Sequence, residues 1–398
     1  MIVGGGISQG KIIQRFPEKD WDDTPFIEGV ELFCQPLGWM LSTEQQEPKF
    51  FVSALTDMDA NRHYCACLSF NEAVAITPSK VDDEEDSDLS RNIHLVGLNR
   101  SLLSSTHHSI MYAPTSLVLV SRHNYLETFR NCLGIIYTVH IENMGLPLET
   151  LVGNLLGCVF VPPPGGPQIH FSIGAKDKQY LQPPLSPTLP VTGAVVTLLF
   201  QQLGIKNVLT VFSAALTEQK VLFHSSSHMR LNEACHALTS LMYPFRYSHV
   251  YIPILPASLV EVLSTPTPFI MGVHSSLRNE VSELMDVIVA DLDGGAVTVP
   301  ENITVPLMPE PLLSQVHDAL SLVLQPQLRR ADWAFAPVST SDPVAHTQDK
   351  EIRAIFIRTL AYLLQVNFLF LFSANYVANS KTILGKKVTF QFFLYFYS

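Results

Sequence analysis

Charged residues are scarce in this 398-residue chain, where they make up 15% of the sequence while hydrophobic residues make up 47%. Basic residues are the scarcer sign, with 25 lysines and arginines against 36 acidic residues and a net charge of −11. Nucleic-acid binding requires basic side chains that neutralise phosphates and release counterions. The composition therefore excludes a general affinity for nucleic acids, and the length predicts two or three globular domains with sizeable cores.

Cysteines are also few, and their spacing is not the paired spacing of a metal site. This usage is typical of a reduced intracellular compartment, and we interpret Cys65-Ala-Cys67 as small side chains of a strand. The N-terminal residues MIVGGGISQGK lack an apolar segment of signal-peptide length. No run of about 18 apolar residues predicts a helix across a membrane. The six cysteines are Cys34, Cys65, Cys67, Cys132, Cys158 and Cys235.

Motifs of the common enzyme classes are absent from the sequence. The segment Gly5 to Lys11 has the spacing of a phosphate loop, but Ile12 stands where a magnesium-binding hydroxyl is needed, so we interpret it as a glycine turn. Neither a Gly-x-Ser-x-Gly elbow nor a His-Glu-x-x-His helix occurs. Ser225, His224 and Asp291 have the side chains of a catalytic triad, but spacing alone gives no geometry for one. The sequence predicts no hydrolytic or transfer chemistry, no metal site and no cofactor.

Strand patterns followed by helix patterns predict an α/β module over residues 1–150. Short apolar strands are predicted at 11–16, 50–56, 63–70 and 116–121, and helices are predicted after Asn124 and from Leu148. The polar stretch 71–110 contains the acidic run Val81 to Asp88 and has no periodicity. We interpret it as a solvated, disordered insertion, with a partner-binding tail as the alternative.

A second module is predicted over residues 168–301, after the proline-rich linker Val161 to Pro167. Its strands alternate with helices, a pattern that favours an α/β domain with a mostly parallel sheet. Within it, Asp291-Leu-Asp293-Gly-Gly lies between two strands and is typical of a hairpin turn. A partial helical module follows over 302–365, with helices at 312–324 and 350–364 and Asp349 predicted to cap the second helix.

The composition changes again over residues 366–398. These 33 residues hold ten phenylalanines or tyrosines and no acidic residue. The segment from Thr389 to Tyr397 has the composition of an aggregation-prone strand. We therefore interpret 366–398 as an atypical tail that originates from intron read-through or an error in the gene model, which sequencing of the transcript across the junction tests.

Several local sequences of the second module occur in the order in which DENN domains show them. The chain therefore resembles a DENN domain, and more narrowly the N-terminal region of the SET-binding factors, the myotubularin-related pseudophosphatases. Upstream, Gln14 to Pro17, Gly29 to Pro36 and Arg62 to Cys65 resemble the longin-like part of that family, and the resemblance covers about 10–365. The motifs of the second module are Glu218 to Phe223, Tyr243-Pro-Phe245, Tyr251 to Pro256, Thr265 to Val273 and Asp291-Leu-Asp293.

This resemblance implies a guanine-nucleotide exchange factor that promotes GDP release from a Rab-family GTPase in membrane traffic. The alternative is a DENN-like adaptor that binds a GTPase or membrane regulator without exchange. The GTPase is expected where the upstream and central modules meet. Tyr243, Phe245 and Tyr251 are predicted as apolar contacts, and Asp291 and Asp293 as polar contacts.

The same resemblance implies where such a protein acts. It implies a cytoplasmic protein, peripheral to endosomal or vesicle membranes through other domains of a full-length protein, with no nucleic-acid partner. We also expect that replacing Asp291 and Asp293 together by alanine lowers exchange without unfolding the domain.

Overall fold

The computed structural model describes residues 2–5, 10–20, 26–57, 61–76, 109–142, 145–330 and 345–378. The chain divides into two compact units, Met1–Pro183 with Leu255–Val260, and Pro184–Ile254 with Glu261–Ser398. The chain first passes between the units in the proline cluster at Pro183 and returns to the first unit for Leu255–Val260, whereas the predicted linker Val161 to Pro167 lies inside the first unit. The three-part division predicted from the sequence stays a prediction.

The first unit contains an antiparallel five-stranded sheet with strand order β2-β1-β5-β4-β3, and a separate two-stranded hairpin β6-β7. The helices α2 and α3 follow β5 along the chain, and α2 packs on β4 and β5. The elements are β1 (Ile2–Gly5), β2 (Gly10–Gln14), α1 (Val30–Cys34), β3 (Lys49–Thr56), β4 (Arg62–Ile76), β5 (Ser109–Ser121), α2 (Leu126–Glu142), α3 (Leu148–Cys158), β6 (Ile169–Phe171) and β7 (Gln179–Leu181).

Both faces of this sheet are covered, as the alternation along β4 predicts. Ala66, Leu68 and Phe70 pack against helix α2 in the main core of the unit. Cys65 and Cys67 point to the opposite face, where both are fully buried. A hydrogen bond with Cys34 together with burial raises the pKa of the Cys67 thiol well above its usual range. The interpretation of both cysteines as strand residues is therefore confirmed, because they lie in β4. Their burial also makes the protonated thiols unreactive.

The predicted insertion is shorter than residues 71–110. Strand β4 continues to Ile76 and β5 begins at Ser109, and these two residues pair with each other. Glu72 of this extension has a cross-strand and a helix partner: it accepts a hydrogen bond from Thr115 Oγ1 at 3.0 Å and lies 3.0 Å from His140 Nε2. Residues 77–108 lie outside the described residues.

The second unit contains a five-stranded sheet with strand order β12-β11-β8-β10-β9. The four strands β11, β8, β10 and β9 are parallel, and only β12 is antiparallel, so the predicted mostly parallel sheet is confirmed. The elements are α4 (Val195–Leu216), β8 (Val221–Ser225), α5 (His228–Leu241), β9 (Val250–Ile252), β10 (Phe269–His274), α6 (Arg278–Ser282), β11 (Ile288–Asp291), β12 (Ala296–Thr298), α7 (Leu312–Leu324), α8 (Pro326–Arg330) and α9 (Ala345–Ala378), besides 3-10 turns at Ala257–Ser264 and Ser275–Leu277.

Helix α4 is the central helix of the second unit. By length and composition α4 is apolar enough to cross a membrane, a property that we did not predict from the sequence. However, 56% of its most apolar 18-residue segment is buried inside the protein. It is interrupted at Gly204, whose backbone has φ 75° and ψ 166°. Its burial is that of the core helix of a globular unit.

Asp349 caps a different helix from the one predicted. Helix α9 begins at Ala345, so Asp349 lies inside it. Its fully buried carboxylate accepts hydrogen bonds from Val196 N at 3.0 Å, in the first turn of α4, and from Thr192 Oγ1 at 2.6 Å. Arg353 Nε donates the third bond at 3.1 Å. The aspartate therefore joins α9 to the N-terminus of α4, a long-range contact that sequence spacing does not show.

Helix α9 also continues beyond the predicted boundary at Val366, to Ala378. The change of composition at Val366 therefore does not coincide with the end of the helix. Residues 379–398, which include the aromatic segment 389–397, lie outside the described residues.

Candidate functional site

The carboxyl edge of the parallel sheet is the first candidate site, because ligands of open α/β sheets bind beyond the carboxyl ends of the strands. Strands β8, β10 and β11 end there at Ser225, His274 and Asp291. Helix α5 begins at His228, three residues after the end of β8, with Ser227 as its N-cap. Polar side chains from four elements thus meet at this edge.

Asp293 occupies the centre of this cluster. Its carboxylate accepts hydrogen bonds from Ser226 N at 2.6 Å, Ser225 Oγ at 2.8 Å and Arg230 Nη1 at 2.9 Å. Partial burial by itself raises its pKa, but the bonds from Ser226, Ser225 and Arg230 outweigh burial and lower the pKa to about 2. The N-terminus of a helix favours an anion, and here the protein's own carboxylate lies beside the first turn of α5.

Asp291 closes the hairpin between β11 and β12, as predicted from the sequence. Its Oδ1 accepts from Asp293 N at 3.0 Å and Gly294 N at 3.1 Å, and its carbonyl accepts from Gly295 N at 2.9 Å. Gly295 has φ +71°, and a Cβ on it would meet Gln202 O at 2.9 Å. The loop therefore depends on both the aspartate and the glycine, and both predicted polar contacts have structural partners.

The three side chains of the hypothetical triad do not form one. His224 and Asp291 are register partners in adjacent parallel strands, with Nδ1 and Oδ1 3.9 Å apart. Ser225 is the next residue of β8, so its side chain points to the other face of the sheet. Its Oγ donates to Asp293. Among the described residues, this serine has no histidine base.

The amino edge of the same sheet is the second candidate site. Helix α5 runs back from the carboxyl edge, and the parallel strand β9 starts at the amino edge, so the segment from Tyr243 to His249 lies there. Phe245 exposes 44% of its surface, and Tyr243 is partly exposed. Tyr251, in β9, is only 5% exposed. Its burial is inconsistent with the predicted role as a surface contact.

The five predicted contact residues therefore fall into two groups at opposite edges. Strand β8 has five residues, which span about 16 Å at roughly 3.3 Å each. Helix α5, with 14 residues, spans about 21 Å between the same edges. Asp291 and Asp293 are thus separated from Tyr243 and Phe245 by the whole height of the sheet, and the structure does not bring the five into one cluster.

Further titratable residues at the amino edge were not identified as contacts from the sequence. Lys220 Nζ lies 2.6 Å from Asp286 Oδ2, and His249 Nε2 lies 3.3 Å from Glu218 Oε1. Lys220 and His249 immediately precede strands β8 and β9, and Asp286 lies two residues before β11, which is the signal that the sequence offers for their common edge. We call this set the amino-edge surface; it comprises Glu218, Lys220, Tyr243, Phe245, His249, Met285 and Asp286.

Cofactor features are few in the part of the chain that the structure describes. There, no group of three or more histidine, cysteine, aspartate or glutamate side chains is placed to hold a metal ion. The glycine segment that resembles a phosphate loop joins β1 to the antiparallel strand β2, with Gly5 opposite Gly10. A nucleotide-binding loop instead leads into a helix, so the glycine-turn interpretation agrees with this pairing.

Comparison with known proteins identifies two domains in the chain. Residues 10–70 match the uDENN domain, and residues 112–295 match the DENN (AEX-3) domain. The chain is also similar to the DENN domain and WD repeat-containing protein SCD1 of Arabidopsis thaliana, with 27% identity over 346 residues, which are 84% of this chain and 27% of that protein. The chain thus spans about a quarter of the length of this relative.

The uDENN and DENN matches confirm the broader resemblance, and the DENN match ends at Gly295, in the loop of the Asp291 hairpin. DENN domains generally bind small GTPases and regulate them, and DENN proteins are generally not hydrolases. The narrower resemblance to SET-binding factors stays a prediction.

Proposed function

We propose that this protein is a guanine-nucleotide exchange factor that promotes GDP release from a Rab-family GTPase. The observation that carries the proposal is the pair of matches, uDENN at 10–70 followed by DENN at 112–295. The order of motifs from Glu218 to Asp293 is that of DENN domains in general, and the narrower resemblance of the sequence leads us to assign the chain to the SET-binding-factor branch. That branch implies a cytoplasmic protein that associates peripherally with endosomal or vesicle membranes through domains beyond this chain.

Exchange needs binding energy rather than bond chemistry. An exchange factor and GDP bind the GTPase antagonistically, and by linkage each lowers the affinity for the other by the same factor. A protein surface that is complementary to the nucleotide-free GTPase therefore accelerates GDP release. Such a surface requires exposed aromatic anchors inside a polar rim, and it requires no nucleophile or metal.

The amino-edge surface has this composition. Phe245 supplies an exposed aromatic side chain, and the ion pairs Lys220–Asp286 and Glu218–His249 supply the charged rim. Contacts of an exposed carboxylate such as Glu218 contribute little to the stability of a fold, whereas the Lys220 side chain of the other pair is only 13% exposed. Glu218 is therefore available to exchange its contact for one with a second protein. We therefore place the GTPase contact of the second unit on Phe245 and Tyr243.

Asp291 and Asp293 act on this function indirectly. Their carboxylates stabilise the hairpin and the start of α5 by accepting five hydrogen bonds. The donors are Asp293 N, Gly294 N, Ser226 N, Ser225 Oγ and Arg230 Nη1. Replacing both by alanine removes these bonds. The double variant therefore lowers stability as well as exchange, which revises the expectation from the sequence.

A nucleotide-release assay on the full chain tests the proposal. Rab GTPases loaded with a fluorescent GDP analogue are mixed with the protein in the presence of excess unlabelled GDP, and release is followed by fluorescence. We expect release from at least one Rab to accelerate well above its intrinsic rate. Binding to a Rab with an unchanged release rate would instead identify an adaptor. If the protein neither binds any Rab nor accelerates GDP release from one, both the exchange-factor and the adaptor proposals are contradicted.

A further inference from the structure

The proline-rich segment Val161 to Pro167, which the sequence predicts as a linker, is a surface loop within the first unit. It joins α3 to β6, and none of its residues belongs to a helix or strand. Asn154 in α3 donates from Nδ2 to the carbonyl oxygen of Ile173, just beyond β6, at 2.9 Å. Since both ends of the loop are attached to the same unit, its prolines do not serve to separate the two units.

The sequence of this loop determines its backbone conformation. Residues 161–163 each precede a proline, which disfavours helical dihedral angles and favours an extended, polyproline II conformation. At the end of the run, Gly166 N donates to Pro163 O at 2.9 Å, and Gly165 has φ +80°. These are the features of a type II turn with Pro164 at its second position, where the dihedral angles are close to those of polyproline II. Residues 161–164 therefore form about one turn of a polyproline II helix.

The side chains at the start of this turn of helix are exposed although they are apolar. Phe160 exposes 81% of its surface and Val161 exposes 47%, and both Pro163 and Pro164 are exposed. None of residues 150–175 is a lysine, arginine, aspartate or glutamate. The loop thus presents an aromatic side chain followed by a short proline helix, with no charged group nearby in the sequence. Adjacent exposed apolar side chains of this kind are typical of a contact with another molecule.

The hydrogen-bonding groups of the loop determine which kind of partner it suits. Proline has no N–H, so the backbone of residues 162–164 offers carbonyl acceptors and no donor. It is therefore unsuited to join a sheet edge as an added strand, which requires main-chain donors. A polyproline II helix has no internal hydrogen bonds, so inside a bilayer its carbonyls would be unsatisfied. A protein groove lined with tryptophan and tyrosine provides both apolar rings for the prolines and N–H or O–H donors for the carbonyls.

We propose that Phe160 to Pro164 is the ligand of a protein domain whose aromatic-lined groove binds polyproline II segments. Phe160 is the anchor that sets the direction of binding, because the loop has no charged residue for an ionic contact. The backbone is already held in the bound conformation, which lowers the entropic cost of binding. The loop belongs to the first unit and the amino-edge surface to the second, so this contact is distinct from the proposed GTPase contact on Phe245.

The test titrates the full chain into three dye-labelled domains of this recognition class, an EVH1, a WW and an SH3 domain, and follows their fluorescence anisotropy. Phe160→Ala removes the proposed anchor, and Pro163→Ala restores a backbone N–H and removes one fixed φ. Leu185→Ala is the matched control, because Leu185 is also 81% exposed and also follows prolines but lies outside the loop. The melting temperature of each variant shows whether it keeps the fold.

We expect at least one of the domains to bind, and Phe160→Ala and Pro163→Ala to weaken that binding by about tenfold or more. Leu185→Ala should bind as the original chain does, and the melting temperatures should agree. If Phe160→Ala lowers the melting temperature, Pro163→Ala decides alone.

Three results would overturn the proposal. The first is no binding to any of the domains, and the second is equal loss of affinity in Leu185→Ala. The third is binding to vesicles of phosphatidylcholine and phosphatidylserine that depends on Phe160 while no domain binds, which would identify a lipid surface as the partner of the loop.

Discussion

The two edges of the parallel sheet both carry side chains that are suited to binding, but they differ in what those side chains already contact. At the carboxyl edge, Asp293 accepts three hydrogen bonds and Asp291 holds its own hairpin loop. At the amino edge, Phe245 is 44% exposed, and the carboxylates of Glu218 and Asp286 are more than half exposed. The carboxyl edge thus has more polar groups than the amino edge, but fewer of them are available to bind a partner protein.

This difference shows that residue type does not identify a contact surface by itself. The free energy that a side chain contributes to binding depends on which bonds it must first give up. A carboxylate with three donors loses those bonds on contacting a partner, whereas an exposed aromatic ring loses only water. We therefore assign a structural role to the carboxyl edge and a binding role to the amino edge.

The largest expected effect separates Tyr251 from the amino-edge surface. Because its ring is buried in β9, Tyr251→Ala should lower the free energy of unfolding by about 3–5 kcal/mol. Tyr251→Phe keeps the ring and should retain most of the stability and the whole of GTPase binding. Thermal unfolding and a binding assay measure both variants. An alanine variant with unchanged stability and lost GTPase binding would return Tyr251 to the contact surface.

A smaller effect is expected when the carboxyl edge is broken at Asp293. Asp293→Ala leaves Ser226 N, the buried Ser225 hydroxyl and Arg230 without their acceptor, which should cost roughly 2–3 kcal/mol of stability. Glu218→Ala is the matched control, because it removes a 67% exposed carboxylate from the surface contact with His249 and should cost less than about 1 kcal/mol. Urea denaturation compares the two. Similar losses would remove the structural distinction between the edges.

The binding role of the amino edge is tested at Phe245. Phe245→Ala should lower GTPase affinity roughly tenfold, as loss of an aromatic anchor does at other interfaces, with little change in melting temperature. Leu185→Ala is the control, because Leu185 is a more exposed apolar residue of the same unit that lies outside the amino-edge surface. Equal loss of affinity in both variants, or none in either, would remove Phe245 from the interface.

Much of this architecture could be predicted from the sequence because it depends on local patterns. Alternation along β4 identified its two faces, helix α7 was predicted with its observed boundaries, and the aspartate-glycine signal identified the β11–β12 hairpin. Each of these elements is determined by neighbouring residues within one turn or one strand.

The parts that were missed depend on contacts between residues far apart in the chain. Asp349 caps α4 across 153 positions, and the partners of Glu72 are Thr115 and His140. The separation of Phe245 from Asp293 follows from the direction of α5 relative to the strands, which no local motif encodes. Sequence therefore identified the candidate side chains, whereas only the three-dimensional arrangement showed which of them are exposed.

The smallest expected effect is a pH dependence at the carboxyl edge. The pKa of Asp293 is lowered from 3.8 to about 2, since the donors from Ser226, Ser225 and Arg230 outweigh its partial burial. A depressed pKa stabilises the fold above the unfolded-state value, and this contribution is lost as the pH falls from about 4 to about 2. The stability difference between the wild type and Asp293→Asn should therefore be largest above about pH 5 and should shrink towards about pH 2.

Urea denaturation at several pH values measures this difference. The two proteins share every other titratable group, so the acid sensitivity of the remaining carboxylates cancels in the comparison. Phe245→Ala is the control, because its difference in stability from the wild type should not change with pH. A difference between wild type and Asp293→Asn that stays constant between about pH 5 and pH 2 would show that the bonds to Asp293 do not depend on its charge. In that case the anion at the start of α5 would not be what distinguishes the carboxyl edge from the amino edge.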